Sequence, residues 1–191
     1  MLKKMILTAL VGSSAFAAHQ IEANVNDKDL EAQIRIDIDR QDSTYLGARF
    51  LSGDWENSDW TVDPDPLLEV SFMVQRPVRG VPGLKLGLGI KGEVTEFDGH
   101  RFAAVPLGVE GELRLPLNTP FPFYGGAVLY YAPSALCFEE GKEYMESRIN
   151  LSFEPIDNGR FIVGYRKIDT DLEHRNVTYN DSWYFGMRLD F

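Results

Sequence analysis

Two-residue alternation in the segment 182–191, S-W-Y-F-G-M-R-L-D-F, constrains the fold more than any other feature of this chain. Successive side chains of a strand point to opposite faces. Trp183, Phe185, Met187, Leu189 and Phe191 therefore share one face, and Ser182, Tyr184, Gly186, Arg188 and Asp190 the other. One face is wholly apolar and the other carries charge, as expected of a strand between two unlike environments.

Tyr184, Gly186, Leu189 and the aromatic Phe191 also resemble the terminal assembly signal of bacterial outer-membrane barrels. The amino terminus is expected to act with it. Lys3 and Lys4 precede an apolar run over 5–11 and small residues over 13–18, with Ala15 and Ala17 flanking Phe16 in the pattern of a cleavage site. Residues 1–17 are read as a cleaved signal peptide and 18–191 as a single barrel domain. The apolar run is shorter than the roughly 20 residues a spanning helix needs. The expected location is the bacterial outer membrane, reached through the periplasm. The expected partners are its lipid and lipopolysaccharide, with the general secretion and barrel-assembly machineries.

The net charge is −10, which argues against nucleic acid, because binding it requires clustered Lys and Arg. Cys137 is the only cysteine, so no internal disulfide is available and backbone ladders must hold the fold. A mean hydropathy of −0.21 is compatible with a membrane barrel, where only alternate residues meet lipid.

Strand-like segments follow one another along the chain without a helical period. They run over about 30–40, 43–53, 66–76, 83–94, 103–115, 121–132, 143–154, 161–169 and 182–191. Glycines such as Gly87, Gly89, Gly108 and Gly126 recur inside them, as where side chains crowd against a curved backbone. Ile21, Ala23 and Val25 alternate and could add a tenth strand; eight is the alternative, since bacterial single-chain barrels use even numbers. Short connections near Arg40–Asp42, Pro77–Pro82, Pro116–Pro120 and Pro155–Arg160 alternate with longer polar ones near Asp54–Asp65, Thr95–Arg101, Pro133–Lys142 and Thr170–Asp181. This is the pattern of short periplasmic turns and longer, acidic outer loops. Acids and bases nearly balance on the polar face, placing the excess negative charge in the outer loops. A soluble barrel or sandwich with its apolar face inward would alternate in the same way. Trp183 and 121–124, with Tyr130 and Tyr131 opposite, sit where interfacial girdles are expected.

The segments P-L-G-V-E-G-E-L-R-L-P-L (106–117), Y-Y-A-P-S-A-L (130–136), G-Y-R-K-I-D-T-D (164–171) and the terminal Y-F-G-M-R-L-D-F resemble the YfaZ family of small outer-membrane proteins. The resemblance is strongest from about 84 to 191. It implies an outer-membrane barrel, and no established activity, cofactor or ligand comes with it.

Residues with catalytic potential are few. His100 lies near Asp98, and His174 near Asp171 and Glu173; either pair could form a general base. A solvated loop histidine among abundant carboxylates explains both equally. Ser134 has no nucleophile-elbow context and reads as a turn residue. Asp54, Glu56, Asp59, Asp63 and Asp65 offer hard oxygen ligands, but their spacing matches no defined calcium loop. The glycan-acceptor pattern Asn176-Val177-Thr178 reads as a chance match. No residue is therefore assigned to catalysis, cofactor or metal. Three functions remain in view: a structural or surface-interaction barrel, a narrow porin-like channel, and a rim enzyme. A small barrel is nearly filled by its own side chains, which disfavours an open pore.

Overall fold

The computed structural model describes residues 20–27, 29–39, 44–53, 66–97, 100–172 and 176–191. Twelve strands follow in order: β1 (Gln20–Val25), β2 (Asp29–Asp39), β3 (Thr44–Gly53), β4 (Leu67–Pro77), β5 (Leu84–Phe97), β6 (His100–Ala104), β7 (Leu107–Arg114), β8 (Phe123–Ala132), β9 (Cys137–Glu139), β10 (Gly141–Ile156), β11 (Gly159–Leu172) and β12 (Asn176–Asp190). Ten of them close an antiparallel ring, β1-β2-β3-β4-β5-β7-β8-β10-β11-β12, in which β12 returns to pair with β1. Closure leaves no unpaired edge in the ring. Ile21 pairs with Leu189 and Val25 with Phe185, so the short first strand seals the barrel and the ring has ten strands.

β6 and β9 are additions to the ring. Lower β5 pairs with β7, whereas upper β5, Glu93 to Phe97, pairs with β6, which in turn pairs with β9. Val105 and Pro106 separate β6 from β7, and Pro106 contributes no backbone N–H to a ladder. A 3-10 turn, Ser134–Leu136, leads into β9, which tucks Cys137 inward.

The hairpins end more tightly than the alternation predicts. β5 runs to Phe97 and β6 starts at His100; β11 runs to Leu172 and β12 starts at Asn176. The connections expected over Thr95–Arg101 and Thr170–Asp181 are therefore largely strand, because the ladders continue into polar sequence. The connections after Gly53 and Ala132 remain the longer ones. On the other end, Asp157 and Asn158 alone join β10 to β11, with Asn158 in the left-handed conformation that asparagine tolerates. The connections after β2, β4, β7 and β10 define a turn end; those after β3, β5, β8 and β11 define a loop end.

The faces are assigned without ambiguity. Val70, Leu88, Val109, Ile149, Trp183 and Phe185 point outward and are exposed. Glu31, Arg49, Glu69, Glu93, Glu146 and Arg166 point inward and are buried. The apolar face is the outside, the reverse of a soluble barrel. Two aromatic positions differ from expectation. Tyr130 belongs to the interior, fully buried, and only Tyr131 faces out. Trp183 is exposed but lies in the middle of β12, because that strand begins at Asn176.

Inward glycines make room for these interior rings. A side chain at Gly108 would meet the ring of Tyr130, and one at Gly164 the ring of Tyr184. The glycine positions thus reflect lumen packing: a large aromatic on one strand needs a bare backbone on its neighbour.

Candidate functional site

The interior is layered along the barrel axis. Leu51, Leu67, Phe102, Tyr144, Ile168 and Tyr179 form an apolar stack at the loop end, all nearly inaccessible to solvent. Phe102 and Tyr144 stack with centroids 5.9 Å apart. Tyr179 reaches across from β12: its hydroxyl accepts from the Leu67 N–H at 2.9 Å and donates to the Leu51 carbonyl at 3.3 Å. One phenol thereby satisfies backbone groups on β3 and β4 and ties opposite walls together. Cys137, on β9 outside the ring, joins this cluster, and burial pushes its thiol up to about 11, so it remains a thiol at neutral pH.

Below the stack lies a layer of buried ion pairs. Arg49 meets Glu69 at 2.5 Å and Glu146 at 2.5 Å. Lys91 meets Glu146 at 2.6 Å and Glu69 at 3.1 Å, and its ammonium sits 3.9 Å from the centre of the Tyr130 ring. Arg148 binds Glu31 at 3.0 Å and Glu146 at 3.3 Å. Arg166 is paired with Glu31 and, at 2.7 Å, with Asp29. Arg148 and Arg166 both lie against Tyr184, at 5.7 and 5.6 Å from its ring. Burying charge is tolerated only where every ion finds a counter-ion, and this web spans β2, β3, β4, β5, β10 and β11.

Glu69, Glu93 and Glu146 bring carboxylate oxygens within 4.8 Å of one another, a geometry that could hold a divalent cation. Arg49 and Lys91 stand between those carboxylates and supply the positive charge themselves. The cluster is the centre of the ion-pair layer.

At the turn end the interior opens into a polar vestibule of about 250 Å³. Arg35 pairs with Glu110 at 3.1 Å, Arg160 with Glu112 at 3.0 Å, and Arg188 with Glu22 at 2.7 Å. A second cavity, of about 680 Å³, lies outside instead. It is an apolar depression bordered by Ala32, Ala48, Leu68, Gly92, Ala103 and Phe138.

The residues that the sequence singles out are scattered relative to these layers. Tyr184 and Gly186 face the lumen, and Leu189 and Phe191 face outward, as their alternation requires. Ala15 and Ala17 lie outside the described residues, as do Asp98, Glu173, His174 and the acidic segment 54–65. His100 opens β6, and Asp171 lies near the end of β11. Ser134 is exposed at the start of the 3-10 turn. Thr178 lies in β12 and donates to Asp169 at 2.9 Å.

Sequence reasoning missed Glu22, Asp29 and Arg160 as lumen residues. Asp29 and Arg160 stand just outside the strands expected from alternation, yet both keep the parity of the buried positions beside them. Extending each alternation by one residue would have found them.

A model of the family described as YfaZ precursor matches residues 2–191. No curated protein matches the chain.

Proposed function

We propose that this chain, which belongs to the YfaZ family, is a small outer-membrane barrel that does not conduct and acts at its ends, in a structural or surface-interaction role. The observation that carries this reading is the inverted distribution of residues. An apolar face turned outward on the ring strands is intolerable in water at this extent and is what hydrocarbon requires. Strands such as β2 and β4, 11 residues each, have the length that crosses a bilayer when tilted. The description "precursor" agrees with export across the inner membrane. Lipid and lipopolysaccharide would surround the belt, and the secretion and barrel-assembly machineries would deliver it. The Tyr184-Gly186-Leu189-Phe191 pattern is our candidate for the assembly signal.

The lumen argues against the porin-like alternative. The apolar stack at the loop end and the ion-pair layer beneath it occupy the axis, and opening a path would strand charges that are now paired. Reconstituted in planar bilayers, the folded protein should show no steady single-channel steps. Reproducible steps that change on Glu69→Gln would establish the channel instead. The rim-enzyme alternative pairs His100 with Asp98 and His174 with Asp171 and Glu173; Asp98, Glu173 and His174 lie outside the described residues, and activity lost in His100→Ala or His174→Ala would establish it.

A further inference from the structure

We propose that the turn-end vestibule is a binding site for a small oxyanion, a carboxylate- or phosphate-bearing solute. The site is built from the inward residues of strands around the whole ring: Arg35, Tyr45, Gln75, Lys85, Asn150 and Arg188 among them. Its volume of about 250 Å³ would hold roughly eight waters at about 30 Å³ each, which is room for a solute of several heavy atoms.

The charge pattern selects the ligand. The carboxylates of the vestibule are already engaged. Glu110 accepts from Arg35 at 3.1 Å and from Tyr130 at 3.1 Å. Glu112 accepts from Arg160 at 3.0 Å and from Arg188 at 3.4 Å. Asp190 accepts from the Gln20 amide at 2.7 Å. Lys85 lines the same cavity, and among the described residues no carboxylate lies within ion-pair distance of it. Tyr45, Gln75 and Asn150 likewise bring side-chain donors to the wall without a hydrogen-bond partner among the described residues. An ammonium with no ion-pair partner among the described residues, beside neutral donors, is a local arrangement for a negatively charged oxygen group. A cationic ligand would have to displace an arginine from a carboxylate that it already satisfies.

The floor of the vestibule is closed by the ion-pair layer, so a solute would enter and leave by the turn end. The inference rests on the closed barrel and on the identity of its lining, and it does not depend on which membrane surrounds the protein.

Titration calorimetry of the folded full-length barrel in detergent, with inorganic phosphate and separately with succinate, tests it. Saturable binding at one site per chain is expected for at least one probe, weakened tenfold or more by Lys85→Gln. Lys167→Gln, on a partly exposed lysine beside Asp169, serves as the control and should bind as the parent does. Preference for one probe would separate the carboxylate source from the phosphate source. Absence of saturable binding by either probe, or equal affinity in Lys85→Gln with the barrel still folded, would overturn the proposal. If Lys85→Gln fails to fold, Gln75→Ala supplies the second variant and should weaken binding several-fold.

Discussion

Glu146→Leu should cost about 3–5 kcal/mol of barrel stability, enough to prevent accumulation of the folded form. Glu146 is fully buried and is the shared partner of three cations: Arg49 at 2.5 Å, Lys91 at 2.6 Å and Arg148 at 3.3 Å. Its removal leaves Glu69 as the remaining carboxylate in ion-pair contact with Lys91 among the described residues and takes one of two close carboxylates from Arg49. The penalty is the desolvation of charges that keep their burial and lose their compensation, which exceeds the net worth of the ion pairs themselves. Adding Lys91→Met to Glu146→Leu should recover part of the loss, because a surplus cation leaves with the anion. Urea unfolding of the refolded barrels, followed by loss of the compact gel band, reads the effect. A midpoint for Glu146→Leu equal to that of the parent would contradict the role given to this layer.

Met187→Arg should impair insertion at a cost below the roughly 2–4 kcal/mol of a cation on the lipid face at the bilayer middle, because Met187 lies between the centre of β12 at Trp183 and the turn end. Met187 is 46% exposed and lies between Ala23 and Phe161 on the outer surface. Its neighbour Arg188 points the other way and binds Glu22 at 2.7 Å and Glu112 at 3.4 Å. Arg188→Met should therefore insert normally and fail differently, by leaving Glu22 with Arg148 at 3.9 Å as its remaining counter-ion. Folding yields in lipid vesicles and in detergent micelles separate the two mechanisms. The Met187→Arg defect should depend on the thickness of the bilayer, and the Arg188→Met defect should persist in both. Normal insertion of Met187→Arg would mean that the outer face does not meet hydrocarbon at this depth.

Much of this architecture was legible because a barrel writes a period of two into its strands. Leu30 to Arg40 and 182–191 alternate so regularly that strand, register parity and charged face could all be read directly. Ile21, Ala23 and Val25 gave the tenth strand by the same rule; its seal with β12 appears only in the closed ring. What alternation does not record is which side of the sheet meets water. Inward-apolar and outward-apolar barrels share one pattern, and the layered interior decided between them. Alternation also fades where both faces are polar, which is why the last strand reads from 182 in the sequence and not from Asn176. The bulge at Ile168/Asp169 shifts register there and lets Tyr179 turn inward.

The interior layers were less visible still. Tyr130 reads as a girdle aromatic in sequence because it adjoins Tyr131, yet Gly108 on the paired strand leaves space for its ring inside. Ion-pair partners lie far apart in the chain: Arg148 and Glu31 are 117 residues apart. No local motif announces such pairs; they exist only once the ring is closed. The vestibule has the same character, since Tyr45, Gln75, Lys85 and Asn150 meet only through barrel geometry.

Cell fractionation combined with heat-modifiability tests the central claim most directly. The protein is expressed from its full sequence, membranes are separated, and unboiled and boiled samples are compared on a denaturing gel. A closed ten-strand barrel in the outer membrane should fractionate there and run as a compact band that shifts on boiling, because the ring of ladders resists detergent at room temperature. A protein recovered in the soluble periplasm, with one band before and after boiling, would contradict both the membrane location and the outward orientation of its apolar face.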